Sequence, residues 1–264
     1  MDLYAVASGY APRRAFELEH AELPRFAVLC AKLLAVLWLA TGQVVYFRSA
    51  FVPFPGAFAF DAPRAAPLIV LAQLVAVLTI VCSRFVRTGC AMLAAIIVVL
   101  AALDQPLFSN NRWFCALVLG MLALGDDGRL ARFQVALVYA AAAVDKLLSA
   151  DWRSGWFLQG FTTNLCGTGA LGSFDGAPRT PLPATCWLAQ QLVTSNLAAQ
   201  LCSLLVIATE LAIAAGYLKP TRLVIPIVIG FHGVLLLVTG STFGIFFYAC
   251  IACSVLVLDQ RPRT

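Results

Sequence analysis

Residues Phe133 to Trp156 read FQVALVYAAAAVDKLLSADWRSGW. The stretch begins as an unbroken apolar run and carries Asp145 and Lys146 inside its last apolar turns, ahead of a Trp/Gly-rich boundary. A continuous run without period-two alternation argues for helix rather than strand. Ionisable groups inside an apolar span are costly, so they usually face a protein interior and mark a working site. The remaining chain reads as a box built around this lysine.

At 61% hydrophobic and 12% charged residues over 264 positions, the chain is too apolar for a soluble globule of its length. The expected fold is all-α, a polytopic integral membrane bundle of about eight transmembrane helices (range 6–9) with a short interfacial helix. The expected spans are Phe26–Phe47, Ala66–Cys82, Gly89–Leu103, Phe108–Gly125, Leu130–Leu148, Asn196–Tyr217, Leu223–Val238 and Ser241–Leu258. Crossing roughly 30 Å of hydrocarbon takes about 20 residues, so the third, seventh and eighth are short. Gly240-Ser241 makes a tight reversal, which leaves open a helical hairpin in place of two full crossings. Residues 1–25 form an N-terminal segment without a signal-peptide pattern, 26–258 one membrane domain with an outer loop at 151–185, and 259–264 a tail.

Charge sets the expected orientation. Arg13, Arg14, Arg25, Arg84, Arg87, Arg129, Arg132, Lys219, Arg222, Arg261 and Arg263 fall on one side of this threading. Excess Lys and Arg marks the cytoplasmic face, so the chain is expected to be a multi-pass cell-membrane protein with both termini cytoplasmic. Lys146 then lies near the outer, extracytoplasmic face. The same argument absorbs the net charge of +5, leaving no support for nucleic-acid binding.

The outer loop carries Trp152, Trp156, Phe157, Phe161 and Trp187, residues of the kind that sit at headgroup level. They read either as interfacial anchors or as a lid over a cavity, and Trp156–Leu165 as a helix lying in the interface. Gly167–Pro183 reads as loop. No cysteine pattern has zinc spacing, and no metal is expected; most of the nine cysteines read as small apolar packing residues. Cys166 and Cys186 are the exception, because they share the outer loop and an oxidising compartment, and they are expected to form a disulfide.

The buried polar residues carry the functional reading. Positions 135, 139, 142 and 146 share a helix face, which places Tyr139 below Lys146. Asp145 is turned by ~100° from its neighbour and need not be its partner. Glu210 reads as a structural ion pair with Lys219 or Arg222 near the cytoplasmic end of its span. A lone helix-interior histidine such as His232 is more often a packing residue than an acid or base.

Tyr139-Ala-Ala-Ala-Ala-Val-Asp-Lys146-Leu-Leu-Ser-Ala-Asp-Trp152-x-x-Gly155 resembles the signature of the HTTM (horizontally transferred transmembrane) family, the membrane domain shared with vitamin K-dependent γ-glutamyl carboxylase. Asn110-Asn111-Arg112-Trp113-Phe114 resembles that family's Asn-Asn-His-aromatic element, with Arg112 at the histidine position. Glu210 followed by Thr221-Arg222, and Phe231-His232 followed by Phe243-Gly-Ile-Phe246, resemble later elements in the same order. The likeness runs over roughly residues 26 to 258.

The resemblance implies a carboxylase-like or epoxidase-like enzyme, a lyase, in which Lys146 is the base toward a vitamin K- or menaquinone-like hydroquinone. It implies Arg112 and His232 as further catalytic groups, and Asn110, Asn111, Tyr139, Asp145, Trp152, Trp156 and Glu210 around the substrate or quinone. Its partners would be the lipid bilayer, an isoprenoid quinone, O2 and CO2; a protein partner or peptide substrate is left open. The resemblance covers the membrane domain alone, and a counterpart of the carboxylase's large extramembrane domain is not expected. A buried lysine suits the role because burial disfavours the ammonium. The contrasting expectation is a non-enzymatic membrane protein, a partner subunit or small transporter, whose buried charges are structural.

Overall fold

A computed structural model describes residues 23–41, 62–103, 110–124, 128–167, 183–239 and 245–258. Among these residues the chain is all-helical. In order the helices are α1 (Arg25–Ala40), α2 (Ala62–Cys82), α3 (Val86–Leu103), α4 (Asn110–Ala123), α5 (Arg129–Leu148), α6 (Ala150–Ser154), α7 (Trp156–Gly167), α8 (Pro183–Leu192), α9 (Asn196–Leu218), α10 (Val224–Thr239) and α11 (Phe246–Cys253). A 3-10 turn, Ser254–Leu258, closes the described chain.

By length and composition, α9 is long and apolar enough to cross a membrane, and Pro67–Cys82, Val86–Ala101, Arg112–Ala123, Val224–Leu237 and Phe246–Leu258 are shorter apolar helices. Helix α5 has 20 residues but carries Arg129, Arg132, Asp145 and Lys146. The expected first span is helical only to Ala40, where the Thr41 hydroxyl donates to the Leu37 carbonyl at 2.7 Å; its remainder, 42–47, lies outside the described residues. The Gly240-Ser241 reversal also lies outside them. In the eighth expected span, eight residues are α-helical before the backbone tightens into the 3-10 turn.

The expected outer loop, 151–185, differs most from expectation. Its helix at Trp156 is present as α7 and extends to Gly167, and a further helix, α8, begins at Pro183. Proline at a first helical position loses nothing, because that N–H has no intrahelical acceptor. The Pro-rich stretch thus conceals a helix start. Residues 168–182 lie outside the described set.

The core gathers the inward faces of α1, α3, α4, α5, α9 and α11, with Trp38, Leu93, Leu119, Ile213 and Leu256 among its fully buried side chains. Cys30, Cys90, Cys115, Cys250 and Cys253 are buried within it as free thiols. Buried polar groups are tied across elements: Trp38 Nε1 donates to Gln73 Oε1 at 3.0 Å, and Arg132 Nη1 donates to the Leu256 carbonyl at 3.2 Å. The second bond fixes the closing 3-10 turn to the start of α5.

The most extensive helix contact joins α5 and α9, which run antiparallel. On α5 the buried positions include Arg132, Val135, Ala136, Tyr139 and Ala143; on α9 they include Ala199, Ser203, Ile207, Glu210, Ala214 and Tyr217. Both sets recur at three- and four-residue spacing, the stripe one helix presents to another. Small residues at Ala136 and Ala143 let the backbones approach.

Candidate functional site

The site is built on the α5–α9 seam. Tyr139 and Lys146 stand seven residues apart on α5, and Glu210 and Tyr217 stand seven apart on α9 in the opposite chain direction. Seven residues are close to two helical turns, about 10 Å. Antiparallel packing therefore matches Lys146 with Glu210 and Tyr139 with Tyr217, as two layers of one seam.

The upper layer is charged. Lys146 Nζ lies 2.8 Å from Glu210 Oε1 and 2.9 Å from Oε2, and 3.4 Å from the Ala142 carbonyl one turn back. The side chains retain only 17% and 9% of their exposure. Lysine thus folds back along its own helix, and the pair sits near the middle of α9 rather than at a helix end. The expectation that Glu210 pairs with Lys219 or Arg222 is corrected here. Sequence proximity favoured those cations, whereas helix packing delivers Lys146.

Above the ammonium lies the Trp152 ring, its centroid 5.2 Å from Nζ. A break in the helix puts it there. Helix α5 stops at Leu148, the Ser149 side chain accepts from Trp152 N–H, and the short α6 turns the indole back over the seam. Gly155 ends α6 with φ of 80°, and a β-carbon there would stand 2.5 Å from the Ala199 backbone. Only glycine meets both demands. Trp152 stacks on Phe157 at 4.4 Å and Phe157 on Phe161 at 6.1 Å, so an aromatic ladder runs from the ion pair along α7. That helix is joined to α8 by the Cys166–Cys186 disulfide, with 5.5 Å between Cα atoms.

The lower layer is polar but uncharged. The Tyr139 hydroxyl and His232 Nε2 of α10 are hydrogen-bonded to each other. The same hydroxyl contacts Cys250 of α11. Tyr139 stacks on Tyr217 at 6.2 Å, and His232 is ringed by Phe231, Phe246 and Phe247 at centroid distances of 5.1, 6.4 and 5.2 Å. His232 Nδ1 and the Tyr217 hydroxyl are buried without a hydrogen-bond partner among the described residues. Glu210 lies within electrostatic reach of Cys250, so the two layers adjoin.

Lys146, Glu210, Trp152, Tyr139 and His232 are therefore brought together. Trp156 and Asp145 are not: both side chains are exposed on the outer surfaces of their helices. Arg112 is buried on α4 near Cys115. Asn110 and Asn111 open α4, and their side chains lie outside the described residues. Sequence reasoning missed Tyr217 and Cys250. The matched seven-residue spacings were the available signal for Tyr217, while nothing local distinguishes Cys250 from the other core cysteines. Among the described residues, no three His, Cys, Asp or Glu side chains are grouped to hold a metal ion.

No protein-family model, no characterised protein and no solved structure matches this chain. The HTTM resemblance accordingly rests on the short motifs quoted above.

Proposed function

We propose that the chain is a multi-pass membrane protein and a quinone-dependent redox or carboxylase-like enzyme, with Lys146 as its base. The membrane reading draws on exposed leucines along α2 and α9, such as Leu68, Leu71, Leu78, Leu201 and Leu205, set against buried Gln73, Arg112, Glu210 and His232. A water-soluble chain rarely exposes so much contiguous apolar surface. Both termini are cytoplasmic in this reading. Lys146 enters from the outer side, its ammonium reaching toward mid-bilayer.

The observation that carries the enzymatic reading is the Lys146–Glu210 pair, enclosed by Trp152 above and an aromatic, hydrogen-bonding layer below. Ionisable residues in a membrane interior mark proton or substrate pathways. Passing the proton from Nζ to the carboxylate turns the pair into two neutral groups, and a low-dielectric setting lowers the cost of that exchange. The neutral amine could then accept a proton from a phenolic hydroxyl. Trp152 excludes water from that end, and Glu210 holds the displaced proton. The residues present fit a quinone: the Tyr217 hydroxyl and His232 Nδ1 are orphaned polar atoms in aromatic surroundings. When bound, such a group supplies two-electron, two-proton chemistry.

One observation favours a second reading, a structural ion pair in a non-enzymatic membrane protein. Both carboxylate oxygens already engage the ammonium. Purified protein in detergent separates the two readings through hydroquinone-dependent O2 uptake and CO2 fixation. Turnover in the native chain and its loss in Lys146→Ala, compared at equal amounts of folded protein, is the expected result. A native chain without turnover, or a Lys146→Ala variant as active as the native chain, leaves the structural reading standing.

A further inference from the structure

We infer that Cys250, Tyr139 and His232 form a hydrogen-bond chain of reversible polarity that seats one oxygen of a quinone-class ring at His232 Nδ1. The inference rests on the quinone reading above and names the part of the site that holds the ring.

It starts from an orphan. A buried donor or acceptor without a partner costs about 1–3 kcal/mol, and native interiors contain few. Here two occur in one aromatic cluster, His232 Nδ1 and the Tyr217 hydroxyl. A buried water needs 2–4 polar partners, and these two atoms supply no more than the minimum. Beside the bonded Tyr139, the ring neighbours of His232 are Phe231, Phe246 and Phe247, which offer faces and edges for a planar ring. The occupant that suits them is aromatic, reaches the core from the bilayer and carries a hydrogen-bonding oxygen.

The chain behind His232 then explains how one nitrogen serves two oxidation states. A neutral imidazole carries one N–H, and the partner of one nitrogen fixes the role of the other. When Cys250 S–H donates to the Tyr139 oxygen and Tyr139 O–H donates to Nε2, the proton sits on Nδ1. That nitrogen is then a donor, matched to a quinone carbonyl. When Nε2–H donates to the Tyr139 oxygen and Tyr139 O–H turns to the Cys250 sulfur, Nδ1 becomes an acceptor, matched to a hydroquinone hydroxyl. Both arrangements carry the same number of hydrogens, so switching needs no net proton uptake by the protein. A hydroxyl between a thiol and an imidazole can point either way, and the contacts place Tyr139 between the two.

The chain has two histidines, so His20→Gln leaves His232 as the sole one. The test uses this variant, labelled with 15N-histidine, in phosphatidylcholine/phosphatidylglycerol nanodiscs, with menadione and its reduced diol as probes. Equilibrium binding of both probes is measured in parallel. The expected result is binding of both, with the ring proton on Nδ1 in the menadione complex and on Nε2 in the diol complex. Tyr139→Phe should bind both probes but hold one tautomer throughout, and His232→Phe should weaken binding by about tenfold. Binding with His232 resonances that do not respond overturns the inference while the quinone reading survives. No binding of either probe overturns both. Should His232→Phe fail to fold, the resonances of the native His232 still decide the matter.

Discussion

The two layers of the α5–α9 seam solve opposite problems in the same groove. In the upper layer, a full positive charge meets a full negative one, and every close donor and acceptor is engaged. In the lower layer no group is formally charged, yet two polar atoms stay unpaired. The contrast separates what stabilises from what waits for a partner. A buried charge without a counter-charge is expensive enough to unfold its surroundings. An unpaired hydroxyl or imidazole nitrogen costs little enough to be carried as part of a binding site. The upper layer should therefore dominate stability, and the lower layer should dominate ligand affinity.

Breaking the upper pair gives the largest expected effect. Lys146→Ala or Glu210→Ala leaves one buried charge and should destabilise by about 3–5 kcal/mol, lowering the detergent melting temperature sharply. Residual exposure of Lys146, 17%, places Glu210→Ala, which leaves that ammonium unpaired, nearer the lower figure. Gly155→Ala acts on the same layer from outside. It combines a left-handed backbone with a clash against Ala199, and should cost roughly 2–3 kcal/mol while displacing Trp152 from the ammonium. Tryptophan fluorescence should change in that variant, and the Tyr139–His232 contact should not.

Tyr139→Phe sharpens the lower side of the comparison. It removes one hydroxyl shared by two partners and should cost only about 1 kcal/mol in thermal unfolding. A loss as large as that of Lys146→Ala would remove the distinction between the layers. The smallest expected effect is that of Trp152→Leu, which forfeits a contact over the ammonium worth about 0.5–1 kcal/mol. Its readout is the melting temperature in the presence and absence of Glu210→Gln. The two changes should be non-additive if the indole acts on the paired lysine.

How legible all this was in the sequence follows the range of each interaction. The helical class is visible because continuous apolar runs are local. The Tyr139–Lys146 face and the Cys166–Cys186 disulfide were also accessible, one from helix periodicity and the other from a shared loop. The partner of Lys146 was not. Which helix lies beside α5 depends on global packing, so the sequence alone points Glu210 to the nearest cations along the chain. Helix α8 is hidden because the prolines at 178, 181 and 183 signal a break, although Pro183 stands where a helix can begin. Cys250 looks like any core thiol until α11 is folded against α5. Crossing of the bilayer by several helices was inferred from composition; by length and composition alone, α9 qualifies.

The central claim is that the Lys146–Glu210 pair works rather than merely holds. Replacing both residues at once, Lys146→Met with Glu210→Met, tests it most directly, because well-packed apolar residues often substitute for a buried pair without loss of stability. A functional pair predicts a double variant that melts close to the native protein and shows no hydroquinone-dependent turnover. A double variant that melts like the native protein and turns over at its rate would contradict the claim.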